Sequence, residues 1–122
     1  MPIFTRKDII SVNKALKAGW ISSEGPEVKK FEKNFSKFIG CNYAIGCANG
    51  TDAITLALKS LNLPKNSEVI MPAMTYCSTA FAIINAGLKP VLVDLEKNKP
   101  TIDIKKLIDI INARFGSKIS NN

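Results

Sequence analysis

Two short apolar runs separated by a helical pattern constrain the fold of this chain more than any other feature. The runs are "EVIMP" (68–72) and "PVLVD" (90–94), and both have the length and composition of strands. Between them, apolar residues recur at helical spacing up to Gly87, which suits the end of a helix. Strands that alternate with helices predict an α/β fold, which binds ligands at the carboxyl ends of its strands. The run 90–94 predicts a strand that is buried on both faces.

Capping signals mark two helices that precede these strands. Thr5 and Asp8 have the spacing of a capping box, and the helix that they open is expected to end at Gly19. Pro26 suits the first turn of a second helix, which Gly40 ends. Lysines lie opposite the apolar residues of this second helix, so a solvated helix face explains the net charge of +7 better than a nucleic-acid footprint does. The lysines in question are Lys29, Lys30, Lys33 and Lys37.

The segment "CANGTDAITLAL" (47–58) follows a third predicted strand at 43–45 and opens a third helix. Asn49-Gly50 forms the turn, and Thr51 is expected as the N-cap. Because the first amides of a helix lack intrahelical partners and lie at the positive end of its dipole, this junction favours an anion. The alternative is an ordinary connection with a threonine cap and no ligand. The residues expected to be buried on this helix are Ile54, Ala57, Leu58 and Leu61.

The absence of histidine excludes several kinds of site from these 122 residues. Without an imidazole, neither a Ser-His nor a Cys-His catalytic pair is possible in this chain. Cys41, Cys47 and Cys77 form no CxxC pair, so we expect reduced, mostly buried thiols and no metal site. No apolar stretch has the roughly 18 residues of a membrane span, and the N-terminus lacks a secretory pattern. We therefore expect a cytoplasmic protein that does not enter the membrane.

Four separated motifs resemble one family, the pyridoxal-phosphate-dependent nucleotide-sugar aminotransferases of the DegT/StrS type. In chain order the motifs are "GWISSEGPEVKKFEKNF", "YAIGCANGTDAITLAL", "EVIMPAMTYCSTAFAIINAGLKPVLVD" and "TIDIKKL". The resemblance extends over residues from about 5 to 112, and several motifs in the right order are far more specific than one. The resemblance implies the N-terminal part of the large, cofactor-binding domain of a fold-type-I enzyme. With the strands found above, we expect an α/β unit of three strands in an incomplete sheet.

The resemblance also implies a reaction and its partners. Members of this family transfer an amino group, usually from glutamate, to a keto-deoxysugar that is carried on a nucleotide. The amino sugars feed surface polysaccharide or lipopolysaccharide synthesis, and the enzymes are homodimers with shared active sites. We therefore expect pyridoxal 5′-phosphate as the cofactor. The expected partners are a nucleotide-sugar, an amino donor and a second copy of the chain.

Five residues of this chain match functional positions of the family. Gly50 and Thr51 match the positions that hold the cofactor phosphate, which agrees with the anion site expected at the start of the third helix. Tyr76 matches the aromatic residue that lies on the pyridine ring, and its alternative is a tyrosine that simply packs at a strand end. Ile21 and Ser22 match a loop that approaches the nucleotide-sugar.

The catalytic groups of the family have no counterpart in these residues. In the family, the lysine that carries the cofactor and the carboxylate at its pyridine nitrogen follow the last strand seen here. We therefore nominate no catalytic residue and expect this chain alone to be inactive. Segment 113–122 departs from the family pattern and is expected to be a divergent or disordered tail. Two alternatives remain open, a non-catalytic remnant or interaction module with the same fold elements, and part of a sugar dehydratase that uses the same cofactor.

Overall fold

The computed structural model describes residues 3–20 and 22–116, and the chain divides after Cys47 into two compact units. The first unit contains helices α1 (Arg6–Lys17) and α2 (Pro26–Ile39). The second unit contains α3 (Gly50–Ser60), β1 (Glu68–Pro72), α4 (Ser78–Asn85), β2 (Lys89–Val93) and α5 (Ile104–Phe115). Helices and strands alternate in the second unit, so the predicted α/β class is confirmed.

Local signals set the bounds of both helices in the first unit. The Asp8 amide donates to Thr5 Oγ1 at 3.4 Å and the Thr5 amide donates to Asp8 Oδ2 at 2.7 Å, which confirms the capping box. Pro26 occupies the first turn of α2, and Gly40 ends that helix in the left-handed conformation with a φ of 79°. Gly19, after α1, is also left-handed. Both helices therefore form between the predicted signals.

The second unit is built around a two-stranded parallel sheet. β1 and β2 pair in register over their full length, beginning with Glu68 opposite Lys89. α4 connects them, and Gly87 follows it with a φ of 78°, as the sequence predicts. Because the strands are parallel, both carboxyl ends lie at the same edge of the sheet. Residues 73–77 after β1 and Asp94 after β2 leave the sheet at this edge.

The hydrophobic core of the described residues lies in the second unit. Met71, Ile83 and Leu88 are buried and form one cluster, against which part of α3 packs. Ala82 is fully buried and Ala86 packs on the cluster, so α4 directs its apolar face inward, as apolar residues at helical spacing predict. The core therefore holds α4 against β1 and the start of β2.

The strand predicted at 43–45 is wrong. Tyr43 and Ile45 are exposed, and the segment has no ladder partner within residues 3–20 and 22–116. Strand conformation is stabilised by pairing, and the strands that pair here belong to the second unit, whereas 43–45 belongs to the first. The described part of the chain thus contains two strands instead of the expected three.

The burial predicted for 90–94 is wrong in part. Val93 is fully buried, but Leu92 is 57% exposed. The strand also begins one residue earlier than predicted, at Lys89, and ends at Val93. Because successive side chains of a strand point to opposite faces of the sheet, β2 has Val93 covered on one face and leaves Leu92 uncovered on the other.

The buried stripe predicted for α3 is also largely wrong. Ile54, Ala57 and Leu61 are exposed, and of the predicted stripe only Leu58 packs against the core. Thr51 and Thr55 are half-buried instead. Apolar spacing therefore misplaced the packing face of α3, because this face carries two threonines, at helical spacing with Leu58.

All three cysteines are free, as predicted, but they are exposed, so the predicted burial is wrong. Cys41 follows the end of α2, Cys47 lies in the segment before α3, and Cys77 precedes α4. Each of these positions lies outside the regular elements and has few neighbours that could cover a thiol.

α5 begins after Asp103, whose side chain accepts from the amides of Lys105 and Lys106, and it runs to Phe115. The helix therefore includes the first three residues of segment 113–122, while residues 117–122 lie outside the described residues. Among the helices of the described residues, none combines the length and the apolar character that crossing a membrane requires.

Candidate functional site

Asn49 caps the start of α3, whereas the sequence had suggested Thr51 as the cap. Asn49 Oδ1 accepts from the Asp52 amide at 2.9 Å, and Asn49 Nδ2 donates to Asp52 Oδ2, also at 2.9 Å. The helix begins two residues earlier than a Thr51 cap would allow, at Gly50. Asn49 therefore satisfies one orphan amide of the helix and also holds the carboxylate of its first turn.

This cap leaves Gly50 and Thr51 with unpaired donors. The Ala53 amide donates to the Asn49 carbonyl at 3.1 Å, which is the first hydrogen bond of the helix ladder. The amides of Gly50 and Thr51 precede it and have no acceptor among the described residues, and neither does the Thr51 hydroxyl. Three donors thus stand at the positive end of the α3 dipole.

Gly50 is a glycine that the fold itself does not require. Its φ lies outside the left-handed range, and a Cβ placed there would meet no atom within 4 Å. A glycine in such a position is favoured when another group must approach the backbone closely. The space next to the unpaired amides is therefore open.

Tyr76 lies between β1 and α4, at the edge of the sheet where both strands end. Its side chain is 79% exposed, so the alternative of a tyrosine that packs at a strand end is not what this structure shows. The Tyr76 carbonyl accepts from the Thr79 amide at 3.0 Å, which joins its backbone to the first turn of α4. The ring itself is free to cover a ligand.

Thr55 joins α3, which carries Gly50 and Thr51, to α4, which follows Tyr76, and apolar periodicity did not identify it. Its Oγ1 donates to the Thr51 carbonyl at 2.9 Å and lies 3.4 Å from the carbonyl of Ala82 in α4. The spacing of Thr51, Thr55 and Leu58 on α3 follows one helix face, and that spacing was the available signal. Gly50, Thr51 and Tyr76 therefore all belong to elements of the second unit that pack together.

The residues expected to approach the substrate belong to the first unit. Ile21 lies outside the described residues. Ser22 is exposed, its carbonyl accepts from the Gly25 amide at 3.2 Å, and it lines a cavity of about 350 Å³ together with Trp20 and Lys14. This cavity combines an aromatic ring, a cation and a hydroxyl.

An ion pair joins the residue that follows β2 to the first turn of α5. Lys106 Nζ lies 2.6 Å from Asp94 Oδ2, and the Asp103 amide donates to the Asp94 carbonyl at 2.9 Å. The hydrogen bond and charge of Asp94, with a smaller contribution from Asp103, raise the pKa of Lys106 above its ordinary value. This contact ties the first turn of α5 to the end of β2.

The model of the DegT/DnrJ/EryC1/StrS aminotransferase family matches residues 2–119, nearly the whole chain. The chain belongs to this family. The match includes both units, and it confirms the recognition that rested on four sequence motifs. Gly50, Thr51 and Tyr76 are thus residues of a family member.

Two relatives of this DegT/DnrJ/EryC1/StrS chain illustrate the chemistry in its family. Spore coat polysaccharide biosynthesis protein SpsC from Bacillus subtilis (strain 168) is 37% identical over 114 residues, which are 93% of this chain and 29% of SpsC. GDP-perosamine synthase from Caulobacter vibrioides is 40% identical over 95 residues, which are 78% of this chain and 26% of that enzyme. The chain therefore spans less than a third of the length of these relatives.

Two known structures confirm the fold. The Streptococcus pneumoniae protein Spr1654 in its PMP form, which carries a provisional sugar-aminotransferase name, is 31% identical with a TM-score of 0.80 over 88% of this chain and 27% of its own. GDP-4-keto-6-deoxy-D-mannose-3-dehydratase from Escherichia coli with bound hydrated PLP is 26% identical, also with a TM-score of 0.80, over 89% of this chain and 29% of its own. The described elements are therefore those of a fold-type-I pyridoxal-phosphate enzyme, as the resemblance implied.

Proposed function

We propose that this chain forms the N-terminal part of a pyridoxal-phosphate-dependent aminotransferase that acts on a nucleotide-linked keto-deoxysugar. One observation carries the proposal: the start of α3 presents two unpaired amides and a hydroxyl beside an unobstructed glycine. Family membership and the likeness to a protein in its PMP form support the choice of cofactor.

The donors at α3 suit the phosphate of pyridoxal phosphate. The amides of Gly50 and Thr51 and the Thr51 hydroxyl supply three hydrogen bonds, and the helix dipole adds a favourable field for a dianion. Asp52 is the carboxylate closest in sequence, and its hydrogen bond with Asn49 Nδ2 offsets part of its charge. The residues present therefore fit the phosphate group.

Tyr76 supplies the second half of the cofactor site. Its exposed ring is an aromatic surface on which the pyridine ring can stack, which orients the cofactor and excludes water from one side. When bound, pyridoxal phosphate supplies the electron-withdrawing ring that makes amino transfer possible. The role of Gly50, Thr51 and Tyr76 in this proposal is to bind and orient that group.

The substrate side of the proposal rests on the first unit. Ile21 and Ser22 are the residues that we assign to the nucleotide-sugar, and Ser22 lines the cavity that also contains Trp20. We assign glutamate as amino donor and a second copy of the chain as partner, following the family resemblance. The products serve surface polysaccharide synthesis, in line with the name of SpsC, and the protein acts in the cytoplasm.

A hybrid protein tests the reaction. The aminotransferase hybrid joins residues 2–112 of this chain to the part of GDP-perosamine synthase that follows its matching segment. We expect it to bind pyridoxal phosphate and, with glutamate, to convert GDP-4-keto-6-deoxy-D-mannose into an amino sugar. A folded hybrid that binds no pyridoxal phosphate would instead support a remnant or interaction module.

A sugar dehydratase is a second candidate function, because the Escherichia coli dehydratase matches this chain with a TM-score of 0.80, the same as that of Spr1654. A dehydratase hybrid, with residues 2–112 joined to the remainder of that enzyme, is assayed with the same sugar. If the dehydratase hybrid removes a hydroxyl from the sugar and the aminotransferase hybrid transfers no amino group, the dehydratase would be favoured. Our proposal predicts that the aminotransferase hybrid is the more active of the two.

A further inference from the structure

A single hydroxyl in the second unit contacts α3, which carries Gly50 and Thr51, and α4, which begins two residues after Tyr76. Thr55 lies one turn after Thr51, and its Oγ1 donates to the Thr51 carbonyl at 2.9 Å. The same oxygen lies 3.4 Å from the carbonyl of Ala82 in α4. Since a hydroxyl has one proton, the two carbonyls share it as a bifurcated hydrogen bond. The first turn of α3 is thereby tied to α4.

Tyr76 is tied to the same helix. The Thr79 amide donates to the Tyr76 carbonyl at 3.0 Å, so the backbone of Tyr76 continues into the first turn of α4. Ala82 and Ile83, further along α4, are buried in the core. Any displacement of α3 relative to this fixed helix therefore changes the spacing between Thr51 and Tyr76.

Packing alone does not require an oxygen at position 55. The face of α3 that meets α4 continues with Leu58, which packs on the core. Valine has nearly the shape of threonine and would fill the same space without a polar atom that needs a partner. What the Thr55 hydroxyl adds is direction, because a hydrogen bond holds its partners at a defined distance and angle.

We propose that Thr55 is a positioning residue that sets the spacing between the phosphate-binding turn of α3 and Tyr76. This inference rests on the proposed function, because it needs both halves of the cofactor site. Spacing affects only a ligand in which a phosphate and a ring are joined, since such a ligand reaches both halves at once only when they are correctly placed. A ligand with a phosphate alone or a ring alone is insensitive to it.

Three probes separate these cases in the full 122-residue chain. Pyridoxine 5′-phosphate contains the joined ring and phosphate, pyridoxine contains the ring, and inorganic phosphate contains the anion. None of them has the aldehyde that would react with the many lysines of the chain. Ligand-observed NMR gives the three affinities, needs little protein and tolerates self-association.

The variants are Thr55→Val and Thr55→Ala, which remove the hydroxyl, and Thr55→Ser, which keeps it. We expect Thr55→Val to lower the affinity for pyridoxine 5′-phosphate by about three- to tenfold, the factor for one net hydrogen bond. Affinity for pyridoxine and for inorganic phosphate should stay within about twofold, since neither spans the two halves. Thr55→Ala should show the same pattern, and Thr55→Ser should restore binding.

Other outcomes overturn the inference. Equal losses for all three probes, or a Thr55→Ser variant as weak as Thr55→Val, would assign Thr55 to packing. Unchanged affinity in both hydroxyl-free variants would show that Thr55 does not position the site. If the unmodified chain binds pyridoxine 5′-phosphate no better than pyridoxine, the phosphate site itself fails, which is a different result from a failure of Thr55 alone.

Discussion

The two units of this chain differ in what stabilises them. Among the described residues, the buried hydrophobic side chains belong to the second unit, whereas Phe31, Phe35 and Phe38 of the first unit are exposed. The first unit relies mainly on local features such as its capping box, and one hydrogen bond, from the Gly46 amide to Glu32 Oε1 at 2.7 Å, joins α2 to the segment that follows it. The second unit relies on contacts between residues far apart in sequence.

This difference affects how each part of the proposed site is held. Gly50, Thr51 and Tyr76 belong to elements that pack on a core within this chain, so their backbone is fixed by tertiary burial. Ser22 belongs to a unit whose apolar side chains remain exposed. The residues proposed for the cofactor are therefore held by a core within their own unit, whereas Ser22, proposed for the substrate, is not.

The largest expected effect tests whether the core lies only in the second unit. Ile83 is 2% exposed and Phe38 is 87% exposed, so truncation of each to alanine should have very different costs. We expect Ile83→Ala to destabilise the second unit by about 2–5 kcal/mol. Phe38→Ala should change stability by less than about 0.5 kcal/mol. Hydrogen exchange of α4 and α2 amides measures both, and similar losses would contradict the contrast between the units.

Self-association gives the next largest effect. The exposed phenylalanines of α2 and Leu92 of β2 are apolar surfaces that water disfavours, so we expect the isolated chain to be oligomeric or poorly soluble. Replacement of one of these exposed phenylalanines, as in Phe38→Lys, should weaken association by roughly ten- to a hundredfold. Sedimentation equilibrium reports the change. A monodisperse monomer with a sharp cooperative melt would be inconsistent with this prediction.

The smallest effect concerns the local signals of the first unit. Hydrogen bonds from the Thr5 hydroxyl and amide lower the pKa of Asp8 below its ordinary value of 3.8. A lowered carboxyl pKa adds stability above the unfolded value and loses it as the pH falls through the folded value. Thr5→Val should therefore increase exchange of α1 amides more strongly near neutral pH than below the folded pKa, where only the hydrogen bond from the Asp8 amide to Thr5 Oγ1 is lost, with Thr5→Ser as the control. An increase of the same size at neutral and at low pH would show that ionisation of Asp8 does not strengthen the cap.

Sequence patterns were most accurate where structure depends on neighbours along the chain. Both helices of the first unit follow from caps, since Thr5, Pro26 and Gly40 act within one turn. The prediction of a strand at 43–45 was wrong because strand pairing depends on residues far away in sequence. The packing face predicted for α3 was largely wrong because the prediction counted apolar residues, and the face that packs carries Thr51 and Thr55.

The candidate site divides in the same way. An anion site at the start of α3 could be predicted, because unpaired amides follow from any helix start. Asn49 as the cap could also have been found, since it stands three residues before Asp52. The tie from Thr55 to Ala82 could not be predicted, because it joins residues 27 positions apart. Tyr76 was identified by resemblance, and the structure adds that its ring is exposed.

The most direct test of the central claim is the effect of Thr51→Ala on binding of pyridoxal phosphate and of pyridoxal to the aminotransferase hybrid. If Thr51 holds the phosphate, the loss of one charge-assisted hydrogen bond is on the order of 1.5–3 kcal/mol. Affinity for pyridoxal phosphate should then fall by roughly tenfold or more, while affinity for pyridoxal changes little. Thr51→Ser keeps the hydroxyl and should bind both ligands as the unmodified hybrid does. Equal losses for pyridoxal phosphate and pyridoxal would contradict the phosphate site and leave α3 as an ordinary capped helix.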